Sequence, residues 1–248
     1  LALVSLDVID SLIQVLQDTI LTWLNANDLM RVIFDSMNHP YAPLRQSVFG
    51  LTGDLVQCIG LFCKLIIPCF VQFQKAVLFN IELITQKTGI SNNAIWTMGE
   101  MYLTLYDLLP TITDESLSLF LRQNLFDHES LLGKLIDCLV RQHGRCRKSF
   151  MQNVAITIGR MALVLPPEPL LLSIEYALPS WIKFMRDVID QRELESSLTG
   201  MLRVMKVNPS ILQANWSEFK LLLGSYQNHS TESYRSLIHQ YYQLANLH

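Results

Sequence analysis

The sequence is poor in residues that interrupt helices, with only 10 glycines and 9 prolines among its 248 residues. It also lacks the alternation of apolar and polar residues that half-buried strands show, whereas apolar residues recur at helical spacing almost throughout. Breaking residues cluster at about ten places and divide the chain into about ten helices, or about five helical hairpins. The sequence therefore predicts an all-α protein and excludes a β or mixed architecture.

Catalytic and metal-binding motifs are absent as well. The six histidines are scattered, and there is no HExxH, GxSxG or phosphate-binding glycine loop. The five cysteines contain no CxxC pair, which favours a structural role in a reducing compartment over a zinc site. These cysteines are Cys58, Cys63, Cys69, Cys138 and Cys146. We predict that the chain is not an enzyme and binds neither a metal nor a cofactor.

Charge is nearly balanced overall but unevenly distributed. The formal net charge is -3, yet residues 1–140 hold 14 acidic and 7 basic residues and residues 141–248 hold 8 acidic and 12 basic ones. An acidic first half suits a basic protein partner and disfavours nucleic acid, although solvated surface charge explains the same counts.

A short basic run, formed by Arg141, Arg145, Arg147 and Lys148, falls in a predicted inserted loop. Because it lacks interleaved aromatic residues, a solvated loop is favoured over a nucleic-acid patch. The same loop could fold back onto an acidic face of the protein and compete with a ligand there.

The most hydrophobic window, residues 55–73, approaches the length of a membrane span but contains Lys64 and Pro68. We interpret it as the end of one buried helix, a turn at the proline and the start of the next helix. No membrane association is therefore predicted.

Four segments of the chain align with one another without gaps. They are QSVFGLTGDL from Gln46, NNAIWTMGEM from Asn92, QNVAITIGRM from Gln152 and SSLTGMLRVM from Ser196. Equivalent positions form a glycine column: Gly53, Gly99, Gly159 and, in the last segment, Arg203. The steps along this column are 46, 60 and 44 residues, of which two match the period of HEAT-type hairpins and the longer one implies an insertion between about 111 and 149.

The repeat predicts an α-solenoid, an α-α superhelix of about five HEAT-type hairpins, forming a single C-terminal arch over residues 1–248. The aligned segments would be the second helices of their hairpins. The expected divisions are 1–24 for the second helix of a leading repeat, then 27–66, 68–108, 112–165, 168–207 and 210–247.

Helical periodicity separates two faces of the aligned helices. A core stripe is predicted at Val48, Ala94, Val154 and Leu198, then Leu51, Thr97, Thr157 and Met201, then Leu55, Met101, Met161 and Met205. The opposite face is predicted to be polar and open, and it includes the glycine column together with Gln46, Asn93, Asp54, Glu100 and Arg160.

One column at the centre of the polar face breaks this pattern, since it holds Gly50, Trp96, Ile156 and Gly200. We expect Trp96 and Ile156 to point away from their own core and to form anchors on the concave side of the solenoid. Apolar anchors ringed by polar groups are typical of protein-binding hot spots. The alternative is that both are buried between neighbouring repeats.

The same segments resemble the transportin family of nuclear import receptors, within the importin-β superfamily. The similarity is carried by RQSVFGLTGDL at 45–55, NNAIWTMGE at 92–100, NVAITIGR at 153–160 and KVNPS at 206–210. The resemblance implies a receptor fragment with HEAT repeats whose concave surface binds nuclear localisation signals of the proline-tyrosine type, and which shuttles between cytoplasm and nucleus.

Carried over residue by residue, the resemblance implies cargo-binding positions at Leu3, Asp7, Gln46, Asp54, Asn93, Trp96 and Ile156. Trp96 and Ile156 would form an apolar pocket for the hydrophobic part of the signal. Asp7 and Asp54 would pair with its basic residues.

Two departures from the family pattern shrink the apolar rim: RCRKS at 145–149 replaces an expected proline, and Thr88 stands at an aliphatic position. The resemblance also implies nuclear pore proteins as further partners. The repeats that bind the proline-tyrosine end of the signal and the small GTPase Ran would lie upstream of Leu1. The competing hypothesis is a passive HEAT scaffold that holds a globular partner.

Overall fold

The computed structural model describes residues 2–22, 26–58, 70–82, 88–111, 128–141, 146–225 and 231–246. All regular structure in these ranges is helical. In the first half of the chain the helices are α1 (Ala2–Leu16), α2 (Ala26–Met37), α3 (Ala42–Cys58), α4 (Phe70–Glu82), α5 (Thr88–Leu108) and α6 (His128–Arg141). In the second half they are α7 (Lys148–Val164), α8 (Pro167–Met185), α9 (Gln191–Val207), α10 (Ser210–Ala214), α11 (Trp216–Gly224) and α12 (Glu232–Ala245). Short 3-10 helices at Gln17–Thr22 and Leu109–Thr111 extend α1 and α5.

Helix starts coincide with capping residues where the sequence offers them. Asp190 accepts a hydrogen bond from the Glu193 amide at 2.9 Å at the start of α9, and Thr231 accepts one from the Tyr234 amide at 3.2 Å before α12. Such side chains satisfy amides that have no partner within the helix, so they fix where each helix begins.

The contacts divide the chain into two compact units, Leu1–Leu131 and Leu132–His248. In the first unit α2 packs on α3 and α4 packs on α5, which makes two helical hairpins. The helices α1, α3 and α5 are neighbours in series, because α3 packs against both α1 and α5. This serial packing is the pattern of an α-solenoid, as the repeat predicts.

The second unit follows the same rule. α8 packs against both α7 and α9, α7 and α9 are in extensive contact, and α12 packs on α9. The last hairpin has a broken first helix, because α10 ends before Asn215 and α11 begins at Trp216. The exact division of the chain into repeats stays a prediction.

The core stripe predicted from periodicity is confirmed. Its twelve positions on α3, α5, α7 and α9 are all buried. Buried apolar area is the main favourable contribution to folding, and here it is shared along each stack of hairpins.

Arg45 in the PLRQS motif has a structural role. It is buried, its Nε donates a hydrogen bond to Asn80 Oδ1 at 3.1 Å, and its Nη1 donates to the backbone oxygen of His39 at 2.5 Å. It therefore ties the turn before α3 to α4 of the next hairpin. A buried guanidinium is tolerated only with such partners.

The structure corrects the interpretation of the basic run. Arg141 is the last residue of α6 and lies 3.3 Å from Asp137, while Lys148 is the first residue of α7 and lies 2.8 Å from Asp187. These two cations belong to helix ends rather than to a loop. Residues 142–145 lie outside the described residues, as do 112–127 of the predicted insertion.

Within the residues that the structure describes, no helix is long and apolar enough to cross a membrane. The hydrophobic window contains the end of α3 and the start of α4, while residues 59–69, with Cys63 and Cys69, lie outside the described ranges. The other three cysteines are free thiols.

Candidate protein-binding face

Three stripes of side chains, on α1, α3 and α5 of the first unit, carry six of the predicted site residues. We call them together the contact face. It consists of Leu3, Asp7 and Asp10 on α1, of Gln46 and Asp54 on α3, and of Asn93 and Trp96 on α5. Residues three, four, seven or eight apart lie on one side of a helix, so the members of each stripe share a side of their helix.

The α1 stripe meets the α3 stripe at two carboxyl groups. The carboxyl group of Asp10 on α1 interacts with that of Asp54 on α3. Burial, the interaction with Asp10 and the negative charge of Glu100 raise the pKa of Asp54 to about 7. The face therefore holds a carboxyl group that exchanges its proton near neutral pH.

The polar part of the α3–α5 junction is fixed by Asn93. Its Nδ2 donates a hydrogen bond to the backbone oxygen of Gln46 at 3.0 Å. The amide orientation follows, because only the nitrogen of the side chain can donate to a carbonyl. Asn93 therefore keeps Oδ1 as its acceptor atom, which suits a peptide N–H of a ligand.

Trp96 is partly exposed. The six-membered ring of its indole packs on Gly53 of α3, and Thr97 beside it donates a hydrogen bond to the backbone oxygen of Phe49. The indole is therefore held on one side by α3 while part of it remains open to solvent. The ring therefore neither projects fully into solvent nor lies within the core.

Gln46 and Asp7 are exposed, whereas Leu3, Asp54 and Asn93 are partly exposed. Asp10 was not among the predicted residues. The signal for it was available, since it follows Asp7 by three residues on the same side of α1.

Ile156 does not fit its prediction. It lies on α7 in the second unit and is 2% exposed, so the expectation of an open apolar anchor there is wrong. The cause is the close approach of α9, whose Ser197 Oγ donates to the backbone oxygen of Ile156 at 3.3 Å. Small residues at this junction let the next helix cover the isoleucine.

The predicted openness of the polar face is wrong at further positions. Gly53, Gly99 and Gly159 are buried, and Glu100 and Arg160 are 1% and 0% exposed. The glycine column marks where successive second helices touch, not a solvent-facing groove. The side chain of Thr88 lies outside the described side chains.

Stacked helical hairpins that pack in series define an α-solenoid. No protein-family model matches the chain. Curated proteins do match it, and they show that the chain is a homologue of proteins named transportin and importin beta-2. This confirms the resemblance seen in the motifs.

The chain is 25% identical over 209 residues to Transportin-1 of Homo sapiens and Mus musculus, covering 84% of this chain and 21% of the relative. It is 28% identical over 231 residues to Importin subunit beta-2 of Schizosaccharomyces pombe, which covers 92% of this chain and 23% of that relative. Transportin of Dictyostelium discoideum is 23% identical over 210 residues, covering 83% and 20%. The chain thus spans about a fifth of the length of these relatives.

Proposed function

We propose that this chain forms part of a nuclear import receptor and that its contact face binds the basic and hydrophobic part of a proline-tyrosine type nuclear localisation signal. The observation that carries the proposal is the partly exposed indole of Trp96, held beside amide and carboxyl groups on neighbouring second helices. The names of the relatives, transportin and importin, support the transport role.

The chemistry of the face suits an extended peptide. Asn93 and Gln46 supply amide groups that can bond to a peptide backbone. Asp7 and Asp10 supply negative charge for basic side chains, and Asp54 adds to this charge when it is ionised. Trp96 supplies apolar area for an aliphatic side chain or a stacking surface for a guanidinium group. Shuttling between cytoplasm and nucleus and contact with nuclear pore proteins belong to the same proposal.

The test is the affinity of the chain for a synthetic peptide that contains a basic and hydrophobic segment followed by proline-tyrosine. Trp96→Ala should weaken binding by more than about 2 kcal/mol, roughly thirtyfold in Kd, because truncating a central aromatic anchor removes a hot spot. Fluorescence anisotropy of a labelled peptide measures the effect.

The matched control is Trp216→Ala. Trp216 is also partly exposed, but it lies in the second unit, where its ring packs edge-on against Tyr242 at 5.1 Å between centroids. This variant should retain peptide affinity. If Trp96→Ala binds the peptide as tightly as the unmodified chain, the proposed function is excluded and a passive scaffold becomes the better hypothesis.

A further inference from the structure

Three residues of the contact face lie against glycines of the neighbouring helix. The pairs are Gln46 with Gly89, Asn93 with Gly50, and Trp96 with Gly53. Glycine is thus placed opposite side chains that the proposed function uses, on both sides of the α3–α5 junction.

The tightest of these contacts is at Gly53. A Cβ atom built there would lie 2.6 Å from Cε3 and 2.8 Å from Cη2 of Trp96, closer than real Cβ contacts. At Gly50 the nearest atom would be Asn93 Nδ2 at 3.4 Å, which is ordinary van der Waals distance. Gly53 therefore leaves room for the ring that no other residue would leave.

The backbone gives no reason for glycine at this position. Gly53 lies inside α3, and no glycine among the described residues has a positive φ. A glycine in a helix interior costs about 1 kcal/mol relative to alanine. The close approach of the indole ring is therefore the reason that position 53 requires glycine.

We propose that Gly53 is the positioning residue of the contact face: it seats the indole of Trp96 against α3 and thereby sets the depth at which the ring meets a ligand. The inference rests on the proposed function. Gly53 does not touch the peptide itself, and a methyl group at this position would lift the ring and change the shape of the face.

The experiment measures the affinity for the same labelled peptide in four proteins: the unmodified chain, Gly53→Ala, Trp96→Ala and the double variant. Gly53→Ala should lose about tenfold in affinity, because the displaced ring no longer fits the ligand. In the Trp96→Ala background the alanine should cause no further loss. Gly133→Ala on α6, where a Cβ atom would meet nothing within 4 Å, is the control outside the contact face and should stay within about twofold.

A second readout follows the ring directly. The difference between the emission spectra of a protein and its Trp96→Phe counterpart isolates the fluorescence of Trp96. This difference spectrum should shift to longer wavelength in Gly53→Ala, as the ring moves into water, and should be unchanged in Gly133→Ala. If Gly53 served only to stabilise the fold, Gly53→Ala would not shift the emission of Trp96 in particular.

The outcomes separate the two proposals. Unchanged affinity of Trp96→Ala excludes the proposed function, and the inference with it. A weakened Trp96→Ala together with an unaffected Gly53→Ala overturns the inference alone, as does an equal further loss in the double variant. Should Gly53→Ala fail to fold, the double variant decides: folding supports the inference because the clash is removed, and failure overturns it.

Discussion

Two junctions between second helices, α3 with α5 and α7 with α9, are equivalent in the repeat but differ in what they leave open. At the first, Gly53 faces the large ring of Trp96, which stays partly exposed. At the second, a Cβ on Gly159 would lie 2.7 Å from the Cα of Ser197. The glycine is the same in both; the residue opposite decides whether the junction offers a surface or closes.

The columns of the repeat explain the difference. The positions of Asn93 and Trp96 on α5 are taken by Ser197 and Gly200 on α9. With these two small residues α9 approaches α7 almost backbone to backbone, and Ile156 is covered. A side chain of the right type in the right column is therefore insufficient for a binding surface, because the following helix must also stand away from it.

The strongest way to break this comparison is to force the closed junction apart. In Gly200→Ala the new Cβ would lie 3.0 Å from the carbonyl carbon of Gly159 and 3.1 Å from the Leu163 amide nitrogen, and backbone atoms cannot rotate away. We expect a loss of about 3 kcal/mol in the free energy of unfolding, measured by urea denaturation.

The control for this change is Gly133→Ala on α6, where a Cβ would meet nothing within 4 Å. This variant should gain up to about 1 kcal/mol, because alanine favours the helix. If Gly200→Ala is as stable as the unmodified protein, the two junctions do not differ in the way described.

A smaller effect sharpens the comparison at Ile156. Ile156→Val removes one buried methylene and should lower the free energy of unfolding by about 1 kcal/mol. Affinity for the peptide should stay within about twofold, since this side chain is closed off by α9. A large loss of affinity without a loss of stability would place Ile156 on a binding surface and remove the contrast.

The last expected effect concerns pH at the open junction. Because the folded protein raises the pKa of Asp54 from 3.8 to about 7, it holds more protons than the unfolded chain between these values. Stability contributed by this group therefore falls as pH rises through that window. Asp54→Asn removes the dependence, so its gain in Tm over the unmodified protein should be larger at pH 8 than at pH 5.

Asp7→Asn, which changes an exposed carboxylate on α1, is the control. The same difference in Tm at both pH values for Asp54→Asn would contradict the raised pKa of Asp54. Calorimetry in matched buffers is sufficient for both variants.

Much of the fold could be predicted from the sequence, because the core stripe depends on the period of a helix within one hairpin. The burial of Val48 and Leu55, for example, follows from that period alone. The burial of Ile156 depends instead on how closely the next hairpin approaches, which is set by Ser197 and Gly200 some 40 residues away. A helical wheel assigns a side to a residue but gives no distance to the neighbouring repeat.

A buried polar cluster shows the same limit. Tyr102 and Gln74 both contact Nδ1 of His128, and burial lowers the pKa of this histidine to about 4. The three residues come from α5, α4 and α6, and no local pattern connects them. The glycine column, by contrast, could be recognised in the sequence. That it marks the contacts between neighbouring helices is a result of the structure.

The last member of that column is an arginine, and its contacts bear on how far repeats can be exchanged. Nη1 of Arg203 donates hydrogen bonds to the backbone oxygens of Ala162 at 3.0 Å, Leu163 at 3.3 Å and Leu165 at 2.5 Å, where α7 ends. One hairpin thus supplies the cap for the helix of the hairpin before it. Separating these two hairpins would leave three backbone carbonyl groups without their hydrogen-bond donor. This part of the array is therefore a fixed pair and not two interchangeable modules.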